Sequence, residues 1–347
     1  MQDDDKTWHI EMVRAREALD IILPKLINEN QEADWGDIWV AHPDTGYTRN
    51  PVFAFEGERS PFLLTDRGVN YLEPGELPRD PLRYSGFPGH GTRIGSALCG
   101  RLPGSLVGLA PGVPTVPYRV TNSVVLIARE ARLNLANAIR HAIDFNGCDV
   151  ISISLGMPLL SPFAPRPLGR AVDYAYENGV IVVAAGGQVV DRVSYPGKFR
   201  RSIGVGGVTP DRKVWPGSEY VASMKERIDV WAPAEPIWRA NTVFDGSGER
   251  YDFGFGDGTS YSTVHVSAAA ALWLFHRKEE IAGKYTRPWQ RVEAFRRLIK
   301  DTRQDVKGRF KPAPGTGILD MEALLKAELP ELSDDDYEEV PAAGEWG

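Results

Sequence analysis

The chain has 347 residues, 42% hydrophobic and 25% charged, with 35 Gly and 26 Pro; this composition of an ordinary globular protein excludes wholesale disorder, collagen-like repeats and a disulfide scaffold. The formal net charge is −7, and Pro330 to Gly347 holds seven acids (Glu331, Asp334, Asp335, Asp336, Glu338, Glu339, Glu345) and no base, so the body is neutral and gives little reason to expect nucleic acid. The longest apolar run, Val266 to Phe275 with Ser267 inside it, falls short of the roughly 20 residues that cross a bilayer, so no membrane partner is expected.

Cys99 and Cys148 are too few for a disulfide framework, and the spacing of Cys and His does not suit zinc. The start, Met1-Gln-Asp-Asp-Asp-Lys6, lacks the basic and apolar regions of a signal peptide. Taken as a native start it implies a cytoplasmic protein; as a trimmed mature form, a secreted one.

Apolar runs of strand length alternate with segments of helical period, which predicts an α/β fold with a mainly parallel sheet covered by helices on both faces. In chain order the strands are Asp37–His42, Thr115–Val120, Asp149–Leu155, Val180–Ala185 and Ile203–Val208. Asn50 to Pro88, with six prolines, has no sustained period and reads as a long excursion of the functional kind. Crossover helices are expected over Glu130–Phe145 and Leu168–Glu177. A buried helix, Ser260–His276, carries the small-residue run Ser267 to Ala271. Gln290–Lys300 is amphipathic, and the bases from Arg291 through Lys311 read as a solvated face. Residues 1–330 form one domain in this reading, and 331–347 an acidic, disordered tail.

Three stretches place a reactive side chain among glycines or small residues at an element end: Ala41-His-Pro-Asp-Thr-Gly46, Gly89-His-Gly-Thr92 and Asp257-Gly-Thr-Ser-Tyr-Ser262. Asp44 follows a strand, His90 starts a helix and Ser260 starts the Ala-rich helix. All three can meet outside the carboxyl ends of a parallel sheet. A serine hydroxyl is a weak nucleophile until an imidazole takes its proton, and the imidazole needs a carboxylate to orient it. Singly, these motifs are also a helix cap, a turn and a loop. His42 is the rival to His90, two residues from Asp44 with Pro43 between; His90 has the helix start and the glycines. His265 reads as a hydrogen-bonded packing residue, and both cysteines as buried.

The three motifs, in the order Asp, His, Ser, resemble those of the subtilisin-like serine proteases, also called subtilases or peptidase family S8. The likeness extends from about Trp8 to Leu325 through Val107-Gly-Leu-Ala-Pro-Gly-Val113, Asp149-Val-Ile-Ser-Ile-Ser-Leu-Gly156, Gly179-Val-Ile-Val-Val-Ala-Ala-Gly-Gly-Gln188, Tyr195-Pro-Gly197, Ile228-Asp-Val-Trp-Ala-Pro233 and Gly315-Thr-Gly-Ile-Leu-Asp320. The resemblance implies a three-layer fold and a serine endopeptidase acting on protein or peptide substrates through an acyl-enzyme. Asp44 would orient the imidazole, His90 would be general base and then acid, and Ser260 the nucleophile. Ser154, Leu155 and Gly156 would line one wall of the primary pocket and pair with substrate backbone; Ala184, Ala185 and Gly186 would form the other wall. No cofactor is expected to be required; calcium often stabilises the family, but no calcium-loop residues match here.

Two departures stand out. Where the family usually has an Asn whose amide donates to the oxyanion, this chain has Gly187 and then Gln188, whose longer arm carries the same amide one position later. Near the serine, Thr263-Val264-His265 stands where the family pattern has a proline, usually cis, a bond that Val disfavours, so the local backbone is expected to differ. These departures keep one alternative open, a pseudoprotease serving as a binding or regulatory module; the long Asn50–Pro88 excursion suits a second, a tightly regulated protease that cleaves one partner and is controlled by a regulatory protein in a complex. The acidic tail, ending Glu345-Trp-Gly347, is a further candidate, as an inhibitor lying in the cleft.

Overall fold

Two core clusters lie on opposite faces of one sheet, and the period of two along the strands decides which residue enters which. The computed structural model describes residues 5–29, 33–84, 86–158, 165–188, 192–218, 227–309 and 315–339. Six strands, β1 (Val40–Asp44), β4 (Thr115–Arg119), β5 (Val150–Ile153), β6 (Ile181–Ala185), β7 (Ile203–Val208) and β8 (Val230–Pro233), form a parallel sheet in the order β4-β1-β5-β6-β7-β8. Val40, Val150, Ile181 and Val183 enter one cluster; Ala41, Ile151, Val182 and Ala184 enter the other. The near-continuous Val/Ile runs follow from burial on both faces.

Helices complete three layers. On one face lie α2 (Ala15–Leu26), α3 (His90–Cys99) and the 26-residue α6 (Thr259–Lys284), with the short α1 (Trp8–Met12), α7 (Pro288–Asp301) and α8 (Met321–Lys326) around them. The other face carries α4 (Arg129–Asp144) and α5 (Arg166–Glu177). The run Ser267 to Ala271 is wholly buried, and Ser267 Oγ donates to Ser152 Oγ on β5 at 2.9 Å. Small side chains let α6 lie close enough to the sheet for that contact.

Several boundaries differ from the sequence reading. The first strand starts later and continues through Pro43 to Asp44; beyond Ala41 it pairs only with β4, so the missing N–H of Pro43 faces no partner strand. The helices α1 and α2 and the hairpin of β9 (Ile237–Phe244) and β10 (Glu249–Gly256) were not expected; charged residues interrupt the hairpin's alternation. Two further short strands, β2 (Arg101–Leu102) and β3 (Leu106–Val107), form their own pair. Part of the 50–88 excursion runs along β4, where Leu64 N–H bonds to Thr115 O at 2.8 Å and Tyr71 N–H to Arg119 O at 2.9 Å, covering a sheet edge.

Residues 331–339 contradict the expectation of a disordered tail. The ring of Tyr337 packs on Trp289 and Tyr176, with the Arg201 guanidinium 4.8 Å above it. Its acids pair with bases: Glu331 with Lys284, Asp334 with Arg287 and Asp336 with Arg297. This docking on α5 and α7 is away from the cleft described below, so 331–339 do not occupy it. Lys311 and residues 340–347 lie outside the described residues.

Candidate active site

The chain leaves β1 to form β4 on one side and then crosses to β5 on the other, so the carboxyl ends of β1 and β5 make the switch point where open α/β sheets bind ligands. A cleft of about 480 Å³ opens there, lined among others by His90, Ser154, Leu155, Gly156, Ala185, Gly187, Gln188 and Ser260. Asp44, the last residue of β1, is 1% exposed beneath it.

Asp44 and His90 are joined by a two-pronged contact: His90 Nδ1 is 2.8 Å from Oδ1 and 3.0 Å from Oδ2. A carboxylate only accepts, so Nδ1 carries the proton and Nε2 presents its lone pair. Burial acts to raise the Asp44 carboxyl, but the His90 charge, its hydrogen bond, the His42 charge and the Thr45 N–H together outweigh it and hold Asp44 below the usual carboxylate range. Gly91 has to be glycine: a Cβ there would lie 2.1 Å from Gly46 O and 3.2 Å from Asp44 Cβ.

His42, the rival, is buried behind this pair. Its Nε2 is 3.8 Å from Asp44 Oδ2 and makes no hydrogen bond among the described residues, and burial lowers its pKa. The strand stays extended through Pro43, which puts His42 and Asp44 on the same face. His42 therefore packs under α3, outside the cleft.

Asp80 was missed by the sequence reading, although it fixes the loop that carries His90. It is 2% exposed and accepts from Gly89 N at 2.8 Å, Tyr84 OH at 2.9 Å and Thr45 Oγ1 at 2.7 Å, while Thr45 Oγ1 in turn accepts from Gly91 N at 3.1 Å. No local motif marks Asp80, because its partners stand up to 35 residues away in sequence.

Ser260 occupies the first turn of α6, where its N–H has no carbonyl four residues back within the helix and the positive end of the dipole faces the cleft. Its hydroxyl donates to Ser154 O at 3.1 Å, and Ser154 Oγ donates back to Ser260 O at 3.0 Å. No hydrogen bond joins Ser260 to His90 among the described residues. Val264 sits inside the continuous helix; the cis bonds of the described residues precede Pro196 and Pro236 instead.

Gln188 lies at the lip of the cleft. Its Oε1 accepts from Thr259 N at 3.1 Å, which leaves Nε2 as the amide's donor, with no partner among the described residues. Gly258, at φ +140°, makes room for it: a Cβ there would stand 2.9 Å from Oε1.

The two pocket walls are only partly as expected. Ala185 and Gly187 line the cleft, but Ala184 is in the core and Gly186 is used inside, with its N–H bonded to Val205 O at 2.9 Å. Strand alternation turns them away. Ser194, absent from the sequence reading, stands between the walls: a Cβ on Gly156 would be 3.1 Å from Ser194 Cβ, and one on Gly187 2.4 Å from its Oγ. The backbone of Gly156 is already paired, its N–H with Val124 O at 3.0 Å and its C=O with Leu126 N at 2.9 Å. A substrate strand expected at that edge meets one already formed.

His265 is the packing residue expected. Its Nδ1 donates to Tyr261 O at 2.7 Å and its Nε2 meets His9 Nδ1 at 2.9 Å, so two neutral rings tie α1 to α6. Burial brings the His265 pKa down to about 4 and lowers that of His9 as well. Both cysteines are buried, and burial pushes the Cys99 thiol up to about 12, far from reactivity at neutral pH. Among the described residues no group of three His, Cys, Asp or Glu is placed to hold a metal, and no helix is long and apolar enough to cross a membrane.

A parallel α/β sandwich with a buried Asp–His pair and a helix-borne Ser opening on one cleft is the framework of a serine hydrolase. The family model described as the subtilase family, Peptidase S8, matches residues 38–317. The chain is 31% identical over 242 residues to the "Major intracellular serine protease" of Bacillus subtilis (strain 168), covering 68% of each, and 29% identical over 264 residues to the "Intracellular serine protease" of Paenibacillus polymyxa, covering 74% of this chain and 73% of that one. Among solved structures, proteases from Pseudoalteromonas arctica superpose with a TM-score of 0.68 at 20% identity, covering 93% of this chain and 96% of that one. The prenylagaramide maturation protease PagA superposes with a TM-score of 0.61 at 19% identity, covering 84% and 92%. The chain belongs to the subtilase family and is a serine-type endopeptidase.

Proposed function

We propose that the chain cleaves peptide bonds through an acyl-enzyme formed on Ser260, with His90 as general base and acid and Asp44 as the group that orients it. The observation that carries this reading is the Asp44–His90 contact at 2.8 and 3.0 Å in a cleft that also presents Ser260. In the reaction, the Ser260 hydroxyl turns from Ser154 O towards His90 Nε2 and gives up its proton as Oγ attacks the substrate carbonyl. The developing oxyanion meets the Ser260 N–H at the helix start and the Nε2 of Gln188. His90 then protonates the departing amine, and a water repeats the sequence on the acyl-enzyme. Buried on all sides, Asp44 holds the imidazole tautomer and stabilises the cation.

The closed Gly156 edge favours one refinement: the resting enzyme is held back until a substrate or partner opens the Val124–Leu126 pairing. Hydrolysis of an unstructured protein substrate tests the main reading. Ser260→Ala should lose about 10⁶-fold in kcat while keeping its melting temperature. Equal hydrolysis by the variant would end the assignment. Slow hydrolysis by a wild type whose Ser260 reacts normally with a small probe would support the held-back form.

A further inference from the structure

Deeply buried arginines away from the cleft have carboxylate partners: Arg119 with Glu73 at 2.6 Å, Arg201 with Glu177 at 2.8 Å and Arg296 with Asp229 at 3.0 Å. Burial requires this, because an uncompensated buried cation is costly. Arg93 and Arg239 depart from the pattern. Both are half-buried and line the cleft, and neither forms an ion pair among the described residues.

Their contacts are with neutral oxygens. Arg93 Nη1 donates to Pro88 O at 2.8 Å and to Asn241 Oδ1 at 3.5 Å, and Arg239 Nη2 donates to Phe255 O at 3.2 Å. Arg239 Nε is buried with no partner among the described residues. The two guanidiniums are neighbours: each acts on the Tyr261 hydroxyl, and the Arg239 charge acts on Arg93. Asp257 also lines the cleft and its charge reaches the same Tyr261 hydroxyl, but it is exposed and forms an ion pair with neither arginine among the described residues. The charges of Asp44 and Asp80 act on Arg93 and that of exposed Asp252 meets Arg239, but none pairs with them directly, so the wall presents two partly desolvated guanidiniums without a carboxylate ligand among the described residues.

The mechanism says which side of the scissile bond that wall serves. His90 delivers its proton to the leaving amine, so the departing chain runs past His90. Arg93 is three residues further along α3, on the same face. Arg239 is presented from a fixed strand, since the next residue, Ala240, bonds through its N–H to Ser96 Oγ on α3 at 3.1 Å. The acyl side lies towards Ser154, Ala185 and Gly187.

We propose that Arg93 and Arg239 form a carboxylate subsite for the residue that follows the scissile bond, so that the enzyme favours Asp, Glu or a free α-carboxylate there. The inference rests on the reading of Ser260 as nucleophile and names the substrate class of that site.

The test compares kcat/KM for two internally quenched peptides that differ only in Glu or Lys after the scissile bond. A second pair carries Ala there as the last residue, as free acid or as amide, and separates a side-chain carboxylate from a chain terminus. Wild type should favour Glu over Lys by about tenfold or more, as charge-assisted hydrogen bonds to Arg imply. Arg239→Glu should invert that ratio and Arg93→Gln should reduce it; because each ratio is taken within one variant, a general loss of rate does not blur it. Preference for the free acid alone would support the subsite with a chain terminus as its ligand. Ratios near one for both wild-type pairs, or unchanged in both variants, would overturn it. Labelling of wild-type Ser260 by a fluorophosphonate, run in parallel, separates the two failures: label without preference removes the subsite only, and no label removes the nucleophile and the subsite with it.

Discussion

Beneath one side of the cleft every side-chain oxygen of Asp44 is committed, while on the other side the Ser260 hydroxyl is held by a single bond and the Gln188 amide by its oxygen alone. Asp44 accepts from His90 twice and from Thr45 N–H at 2.7 Å, and the loop carrying His90 is held by Asp80. Among the described residues Ser260 makes one side-chain bond, to Ser154 O at 3.1 Å, and exposed Gln188 is tied only through Oε1 to Thr259 N–H. The difference teaches where the reaction's motion is needed. An imidazole that must hold one tautomer is best built rigidly, whereas a nucleophile that attacks, is acylated and is released must rotate. Rigidity on the serine wall lies one step back, in α6 and its buried run.

The sharpest way to break this comparison is to spoil the rigid wall alone. Asp44→Asn keeps the size but allows the wrong tautomer of His90, and kcat should fall about 10⁴-fold at neutral pH. A loss under tenfold, measured on any cleaved peptide, would mean that the carboxylate is structural only. On the mobile wall, Gln188→Ala removes the proposed oxyanion donor, and about 10²–10³ in kcat should disappear with little change in KM. Should KM rise with kcat intact, Gln188 would be a contact for substrate and not a donor to the oxyanion.

A smaller, pH-dependent effect separates the walls again. The neutral His9–His265 pair sits one turn beyond Ser260, and burial holds both pKa values below normal, that of His265 at about 4. Between that value and the ordinary value of about 6.5, the unfolded chain binds more protons than the folded one. Stability from this pair is therefore present at neutral pH and lost as pH falls from about 6.5 towards 4. Thermal melting should show a lower midpoint at pH 5 than at pH 7, with a shallower drop in a His9→Gln, His265→Gln double variant. Identical slopes for the two proteins would remove the pair from the account. Asp44, with its depressed carboxyl, keeps its contribution over this range and loses it only at lower pH.

What could be read from the sequence follows the reach of the forces involved. The strands announce themselves because burial on both faces leaves Val/Ile runs such as Ile181–Ala185, and Asp44, His90 and Ser260 because each needs small neighbours in its own turn. Asp80, Ser194, Arg93 and Arg239 carry no local mark: their roles arise from partners brought together by folding. The tail misled for a related reason. Its charge suggested solvation, but Tyr337 and its acids meet Trp289, Arg287 and Arg297 only once α7 is in place. The second pocket wall takes three consecutive residues where strand alternation allows every other one, so Ala185 and Gly187 line the cleft while Ala184 and Gly186 belong to the interior.

The most direct measurement is the rate of fluorophosphonate labelling, with the adduct located by peptide mass, in wild type and His90→Ala. A single adduct on Ser260 is expected in wild type, with labelling slower by at least about 10³-fold without the imidazole. No adduct on folded wild type, or equal rates in the two proteins, would contradict an activated Ser260.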